Sequence, residues 1–415
     1  MRSANLHQTR RGTRGRLPAT AAACALLAAA GLFSGGAASA SAGTARGNGA
    51  GVQAALRHDI SRYLTAEGKA EHISAVSLRV SFPGREPSID LTTGTTRFGS
   101  GRPVSTRALW QIGSNTKAFT AVILLQLEAG GKLSIGDTLG KWLPQYPAWH
   151  DVTIRQLLDM TSRIPDYAIQ PAFVTAIAAA PAARFSAARL VSYVTGLPLG
   201  PAGYSYSDTN YILAQMIIEK VTHDSYADQL TRRIITPLGL RSMCYAPYTC
   251  PAADAARLPA GYFYMAVAPS LLGQPMPPLA LTWAQGAGAI VSSLQDMTTW
   301  DRALYLGREL PPREQRQLKS LVSETTGKPI TTTTPTDPAG YGLGVQQLTY
   351  QPIGTVWTYE GGTLGYRVEH YYFPHSGIII AVAVNSATGA ANDQLGTLAV
   401  TVYQTLQKAG AVHAS

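Results

Sequence analysis

Apolar and polar positions follow two different periods along this chain of 415 residues. Residues 73–81 and 89–96 alternate, are rich in β-branched side chains and flank a Pro-Gly turn, which predicts a β-hairpin. Further strands are predicted close to the C-terminus, at residues 342–348, 355–359, 367–373 and 378–385. Because neighbouring strands joined by hairpins run antiparallel, the two ends of the chain are predicted to build one mostly antiparallel sheet.

Helical spacing of apolar residues occupies most of the chain between these strands. The helical patterns cover residues 52–66, 118–126, 154–160, 187–195, 211–221, 226–235, 297–305 and 393–407. Loops rich in proline or in polar residues separate some of them, at residues 269–278 and 331–340. The pattern as a whole predicts an α/β (α+β) fold, in which helices flank the sheet and a largely helical region is inserted at residues 120–285.

The first 42 residues have the pattern of a secretory signal peptide. Five arginines precede an Ala/Leu-rich apolar run at residues 19–33, and A-x-A cleavage sites end at Ala40 and Ala42. The apolar run is too short for a stable membrane span. We therefore expect a secreted protein with a flexible segment at residues 43–51 and one domain over residues 52–410.

Charge and cysteine content limit the possible partners. Cleavage would remove five arginines and no acidic residue, so the formal charge would fall from +10 to +5. No basic helix or arginine-rich run remains, so we expect no nucleic-acid partner.

Cys244 and Cys250 are predicted to form a small disulfide loop in an exported protein. A metal site is the weaker interpretation, because no histidine lies near these cysteines and H-E-x-x-H is absent.

An S-x-x-K tetrad at residues 114–117 stands at the start of a strongly apolar helical pattern, which ends at a Gly-Gly pair. Ser114 is predicted to lie in the first turn, where free N–H groups and the helix dipole favour negative charge. Lys117 lies three residues further on and so on the same face. A lysine deprotonated by burial can take the serine proton. The tetrad also occurs by chance at ordinary helix starts, so by itself it leaves both interpretations open.

Two polar stretches give the tetrad its context: YSYSDTNY at residues 204–211 and YEGGTLGY at residues 359–366. Together the three motifs resemble the penicillin-recognising serine hydrolases, most of all the class C β-lactamases and streptomycete D-alanyl-D-alanine carboxypeptidases. That family carries S-x-x-K, then Y-x-N, then H-x-G or K-T-G, in this order. Connecting sequence is also similar, including LSIGD at residues 133–137 and LLDMTS at residues 157–162. The resemblance covers about residues 52–408.

This resemblance implies a role for each motif residue. Ser114 would be the nucleophile that forms an acyl-enzyme, and Lys117 would accept its proton or tune the tyrosine. Tyr206 would carry a proton to the leaving group, with Tyr204 as the alternative two residues earlier. The backbone N–H groups of Ser114 and Gly362 would form the oxyanion hole. The family's mechanism needs neither a metal nor a cofactor.

Four residues are expected to contact substrate, and three of them depart from the family pattern. Asp208 replaces an asparagine; its carboxylate could hold Lys117 as an ammonium or could cap the next helix. Asn210 could then supply the missing amide. With Gly361 aligned to a family glycine, Tyr359 stands where His or Lys is usual.

Glu360 then stands at the next position, which is often Thr in the family. In relatives this strand helps to bind the free carboxylate of the substrate, whereas here a cation is missing and an anion is present. Arg367 could compensate by folding back. Alternatively, Glu360 could face solvent.

The function implied by these motifs is that of a D-alanyl-D-alanine carboxypeptidase-like peptidase. The departures also leave open an esterase, or a D-amino-acid peptidase or amidase, of the same fold. A non-catalytic module that binds penicillin or wall fragments is a third interpretation, which the intact serine, lysine and tyrosine disfavour. The expected substrate is a small peptide, an ester or a peptidoglycan fragment, and the expected state is a monomer.

Overall fold

A computed structural model describes residues 49–84, 87–99 and 101–412 of the chain. The predicted signal peptide lies outside these residues. The first helix begins at Gly49, inside the segment that was expected to be flexible. None of the described helices is long and apolar enough to cross a membrane.

The helices and the strands of the described residues are numbered separately, each in chain order. The helices are α1 Gly49–Glu67, α2 Thr116–Ala129, α3 Leu139–Trp142, α4 Ile154–Leu158, α5 Pro171–Ala179, α6 Ala187–Ser192, α7 Asp208–Thr222, α8 Tyr226–Leu230, α9 Thr236–Leu238, α10 Gln285–Gly288, α11 Leu294–Tyr305, α12 Pro312–Leu318 and α13 Leu395–Lys408. The strands are β1 Ala75–Ser81, β2 Ile89–Gly94, β3 Trp110–Gln111, β4 Met243–Tyr245, β5 Tyr262–Tyr264, β6 Ile290–Ser292, β7 Leu321–Ser323, β8 Pro329–Ile330, β9 Ala339–Tyr341, β10 Gln346–Tyr350, β11 Gly354–Gly362, β12 Arg367–Phe373, β13 Ile378–Val384 and β14 Ser386–Thr388.

The main sheet has the strand order β2-β1-β13-β12-β11-β10-β9-β7-β8. Every neighbouring pair in it is antiparallel. The N-terminal hairpin β1–β2 joins the C-terminal strands through β13, which confirms the predicted sheet. The short strands β3, β4 and β6 form a second sheet that the pattern did not predict, since two or three residues are too few to show a period.

Both faces of the main sheet are covered by helices. Strand β13 has the sequence IIIAVAV and is buried along its whole length. Because side chains alternate between faces, Ile380 and Val382 pack with α1 and α13, whereas Ala381 and Ala383 belong to the core around α2. Helix α2 is thereby held behind the sheet, and the short turn that precedes it contacts β11.

A disulfide joins Cys244 on β4 to Cys250, as the spacing predicted. The loop it closes follows α9 and precedes β5 in the chain, within the region between α2 and α10. Cys244 is buried in the larger core cluster, so the loop is anchored at one end.

Candidate active site

Ser114 lies in a 3₁₀ turn, Gly113–Asn115, immediately before α2, rather than in the first α-helical turn. Gly113 has φ +51°, a left-handed conformation that suits glycine. A Cβ atom on Gly113 would lie 2.6 Å from the carbonyl oxygen of Gly362. The backbone of the Ser114 turn therefore packs directly against the backbone of β11. This close approach brings together the two segments predicted to carry the oxyanion-hole donors, at Ser114 and Gly362.

Lys117 is completely buried, and its ammonium group has three hydrogen-bond acceptors. Its Nζ donates to Ser114 Oγ at 2.9 Å, to Asp208 Oδ1 at 2.6 Å and to the carbonyl of Ala287 at 2.9 Å. An ammonium has three N–H donors, and each has a partner in this arrangement. The surroundings of Lys117 therefore suit the charged form.

Tyr206, rather than Tyr204, contacts the serine. Its hydroxyl lies 2.7 Å from Ser114 Oγ, and Lys117 Nζ lies 4.8 Å from the centre of its ring. The Tyr206 side chain is 38% exposed, but the protein atoms packed around it displace water from the phenol. This desolvation and the negative charge of Asp208 raise the pKa of Tyr206 above its usual value. Tyr206 is thus a neutral phenol in the resting site. Tyr204 packs its ring against Tyr341, at a centroid distance of 5.5 Å.

Asp208 pairs with Lys117 and does not cap a helix through its side chain. It is the first residue of α7, whose N-cap Ser207 makes no side-chain capping hydrogen bond. A second carboxyl group lies beside it, because Asp166 Oδ1 accepts a hydrogen bond from the Asp208 backbone N–H at 3.2 Å. Burial and the charge of Asp208 raise the pKa of Asp166 to about 8. At neutral pH, Asp166 is therefore mainly protonated, and the ammonium is balanced by one carboxylate.

At the C-terminal end of β11, buried and exposed positions alternate from Tyr359 to Gly362. Tyr359 is buried, and its hydroxyl is hydrogen-bonded to that of Tyr341. Glu360 is exposed, as the second of the two sequence alternatives expected. Gly361 packs against the Ser114 turn, where any side chain would collide with the carbonyl oxygen of Ile112.

Arg367 does not fold back to offer a free cation at this strand. It is opposite Gly362 in the sheet register, but its guanidinium is buried and ion-paired with Glu71, at 2.6 Å, and with Asp393.

Crowding by protein atoms and the nearby Asp393 raise the pKa of Glu360 to about 7, although Arg367 opposes this. The end of β11 is therefore neutral to acidic, depending on pH.

Asn210 lies away from the reacting groups. Its Oδ1 accepts from Ser162 Oγ at 2.7 Å, and it braces the loop after α4. Two other groups at the site, the carbonyl of Ala287 and the side chain of Asn115, carried no sequence signal, since the first is backbone and the second is a variable position of the S-x-x-K tetrad. Asp166 belongs to the PDY stretch at residues 165–167, which also resembles the family, but no role was predicted for its carboxyl group.

Comparison with known proteins agrees with this geometry. The beta-lactamase family model matches residues 16–404, so the chain belongs to the beta-lactamase family. Penicillin-binding protein 4* of Bacillus subtilis is 28% identical over 283 residues, which are 64% of this chain and 58% of that protein. The unguisins hydrolase of Aspergillus campestris is 27% identical over 68% of this chain and 53% of its own length. The chain thus spans little more than half of these relatives.

Solved structures with the same fold include two enzymes that are named as amide hydrolases. A D-stereospecific amidohydrolase from Streptomyces has 26% identity and a TM-score of 0.67, with 85% of this chain and 97% of that chain covered. A D-amino acid amidase from Ochrobactrum anthropi has 21% identity and a TM-score of 0.72, with 87% and 99% covered. At that lower identity, the second likeness concerns the fold alone.

Proposed function

We propose that this protein is an exported serine hydrolase that cleaves amide, peptide or ester bonds through an acyl-enzyme on Ser114. The observation that carries the proposal is the position of Ser114 Oγ, which lies 2.9 Å from Lys117 Nζ and 2.7 Å from the Tyr206 hydroxyl. A nucleophile with proton-transfer groups on both sides is the arrangement that such catalysis needs.

The geometry suggests how the protons move. As the Tyr206 proton passes to the leaving nitrogen or oxygen, the serine proton passes to the Tyr206 oxygen, so the phenol is neutral before and after the relay. The Ser114 Oγ–carbon bond forms, and the bond between the carbonyl carbon and the leaving group breaks. Lys117 stays paired with Asp208 and stabilises negative charge that develops on Tyr206. The N–H groups of Ser114 and Gly362 hold the oxyanion. Water then attacks the acyl-enzyme by the reverse relay.

The preferred substrates in this proposal lack a free carboxylate beside the scissile bond, as amides and esters of D-amino acids do. Two features support this choice: Tyr359 and Glu360 provide no cation on β11, and Arg367 is already paired. The likeness to a D-stereospecific amidohydrolase points the same way. The second candidate is the D-alanyl-D-alanine carboxypeptidase-like activity, which the relatives named as penicillin-binding proteins favour.

Mass spectrometry and kinetics test the proposal together. Mature protein is incubated with a fluorescent penicillin, with D-phenylalanine amide, with a neutral ester and with acyl-D-Ala-D-Ala. We expect a covalent adduct on Ser114 and a higher kcat/KM for the amide or ester than for the free-acid dipeptide. Ser114→Ala should lose both labelling and turnover. Substantial hydrolysis by Ser114→Ala would refute the proposal, and a preference for the dipeptide would select the second candidate.

A further inference from the structure

A buried polar network runs from the reactive turn into the core. Asn115 follows Ser114 directly and is only 3% exposed. Its Nδ2 donates to the carbonyl of Ile112 at 2.8 Å and to the carbonyl of Val368 at 3.0 Å. One amide group thus connects the turn that holds the serine to strand β12.

The network continues through a histidine to helix α11. Asn115 Oδ1 lies 2.8 Å from His370 Nδ1, and the Tyr305 hydroxyl lies 2.6 Å from His370 Nε2. Because the Asn115 amide nitrogen already serves two carbonyls, its oxygen faces the ring, so Nδ1 carries the proton and Nε2 accepts from Tyr305. Burial lowers the pKa of His370 to about 3, which keeps the ring neutral in this tautomer.

The network lies next to the two backbone segments that carry the proposed oxyanion-hole donors. Val368 pairs with Gly361 in the register of β11 and β12, and Gly362 is the next residue. The carbonyl of Ile112 belongs to the residue before the 3₁₀ turn. Asn115 therefore joins the segment bearing the Ser114 N–H to the strand pair bearing the Gly362 N–H.

We infer that Asn115, His370 and Tyr305 are positioning residues that set the distance between the two backbone donors of the oxyanion hole. The inference rests on the proposed function. Donors act on a transition state only when they are held where charge develops, and a shift of a fraction of an ångström weakens them. The three side chains are all buried, so they would hold the two donor segments in place from inside the core, without contact with substrate.

Two variants and a matched control test the inference on the full mature protein. Tyr305→Phe removes one hydroxyl, which leaves His370 Nε2 without its donor. Asn115→Asp keeps the side-chain shape but turns an oxygen toward the carbonyls of Ile112 and Val368. Tyr372→Phe is the control, because its ring stacks on Tyr305 at 5.1 Å and it removes a hydroxyl from the same aromatic stack.

The measurements are kcat and KM for a p-nitrophenyl ester, the affinity for phenylboronic acid, the pH–rate profile and the thermal midpoint. A boronic acid forms a tetrahedral adduct on a reactive serine and so reports on the oxyanion hole. A misplacement of reacting groups by about 1 Å can cost about 100-fold in rate, so we expect about 100-fold lower kcat for Asn115→Asp and about 10-fold for Tyr305→Phe. KM and the shape of the pH profile should stay unchanged, boronate affinity should fall in parallel with kcat, and Tyr372→Phe should match the wild type.

The outcomes separate this inference from the proposed function. Folded Tyr305→Phe and Asn115→Asp proteins with wild-type kcat and boronate affinity would overturn the inference alone, even if their thermal midpoints fell. If Asn115→Asp does not fold, Tyr305→Phe decides by the same criterion. A wild type that neither hydrolyses the ester nor binds the boronate would overturn the proposed function, and this inference with it.

Discussion

Lys117 Nζ and Asp208 Oδ1 are joined by an ion pair of 2.6 Å in which the lysine is completely buried. Asp208 stands at the position where the penicillin-recognising serine hydrolases carry the asparagine of the Y-x-N motif. It supplies a full negative charge beside an ammonium that also contacts Ser114 Oγ at 2.9 Å. The pair favours an ammonium that stabilises negative charge on Tyr206 over a neutral lysine base.

The first prediction concerns this pair. Replacing one partner of a buried ion pair leaves the other charge uncompensated, which typically costs about 3 kcal/mol or more. Here Asp166 would lose the neighbouring charge that helps to keep it protonated, so it can ionise and partly compensate Lys117. We therefore expect Asp208→Asn to lower the free energy of unfolding by less, about 1 to 2 kcal/mol, measured by chemical denaturation at pH 7. Asp254→Asn provides a control, because its pair with Arg257 is more exposed, at 3.2 Å. Equal and small losses for both variants would show that Asp208 does not compensate the lysine.

The second prediction is that Lys117 and Tyr206 act as one unit in catalysis. Tyr206→Phe should lower kcat by about 1,000-fold or more, and adding Lys117→Ala should cost far less than the product of the two single effects. Tyr204→Phe is the matched control, since its ring lies beside Tyr341 in the same loop region. Kinetics of the two single variants and the double variant give the coupling. A damaging Tyr204→Phe with an active Tyr206→Phe would reverse the assignment.

The third prediction concerns the charge of the substrate. Because the pKa of Glu360 is raised to about 7, its side chain is mainly neutral below that pH and negatively charged above it. A unit charge about 5 Å away is worth about 3 kcal/mol at an effective dielectric near 20, and solvent reduces this for an exposed group. We therefore expect the kcat/KM ratio of a neutral ester to acyl-D-Ala-D-Ala to rise about 10-fold from pH 6 to pH 8.

Glu360→Gln should remove that pH dependence. Glu309→Gln, which deletes a carboxyl group in the loop between α11 and α12, should retain it. The double variant Tyr359→His with Glu360→Thr should raise the kcat/KM for acyl-D-Ala-D-Ala relative to that for the neutral ester. A wild-type ratio that is constant between pH 6 and pH 8 would show that Glu360 does not sense the substrate.

The fourth prediction concerns the disulfide. Cys244 and Cys250 close a short loop, and in the chain-entropy model such a loop contributes only about 2 kcal/mol. Replacing both cysteines with serine should therefore lower stability modestly and leave turnover intact. Thiol titration of unreduced mature protein should find no reactive group. Two free thiols would contradict this prediction.

Much of the fold followed from local patterns. The predicted strand at residues 367–373 matches β12, and the predicted strand at residues 378–385 exceeds β13 by one residue. Alternation over several residues is a strong signal because one face of each strand must fit one core. The helical patterns likewise predicted α4, α7 and α11, with differences only at their ends. The 3₁₀ turn at Ser114 was missed, because its glycine conformation depends on the backbone of β11.

The sequence by itself determined which residues could react: the spacing of the tetrad puts Ser114 and Lys117 on one face, whatever surrounds them. Only the tertiary structure decided between the open alternatives, because each depended on a partner far along the chain. Asp208 pairs with a lysine 91 residues earlier instead of capping a helix, and Arg367 pairs with Glu71, 296 residues earlier. Local periodicity records which face of an element is buried, but it does not record which buried polar groups meet there.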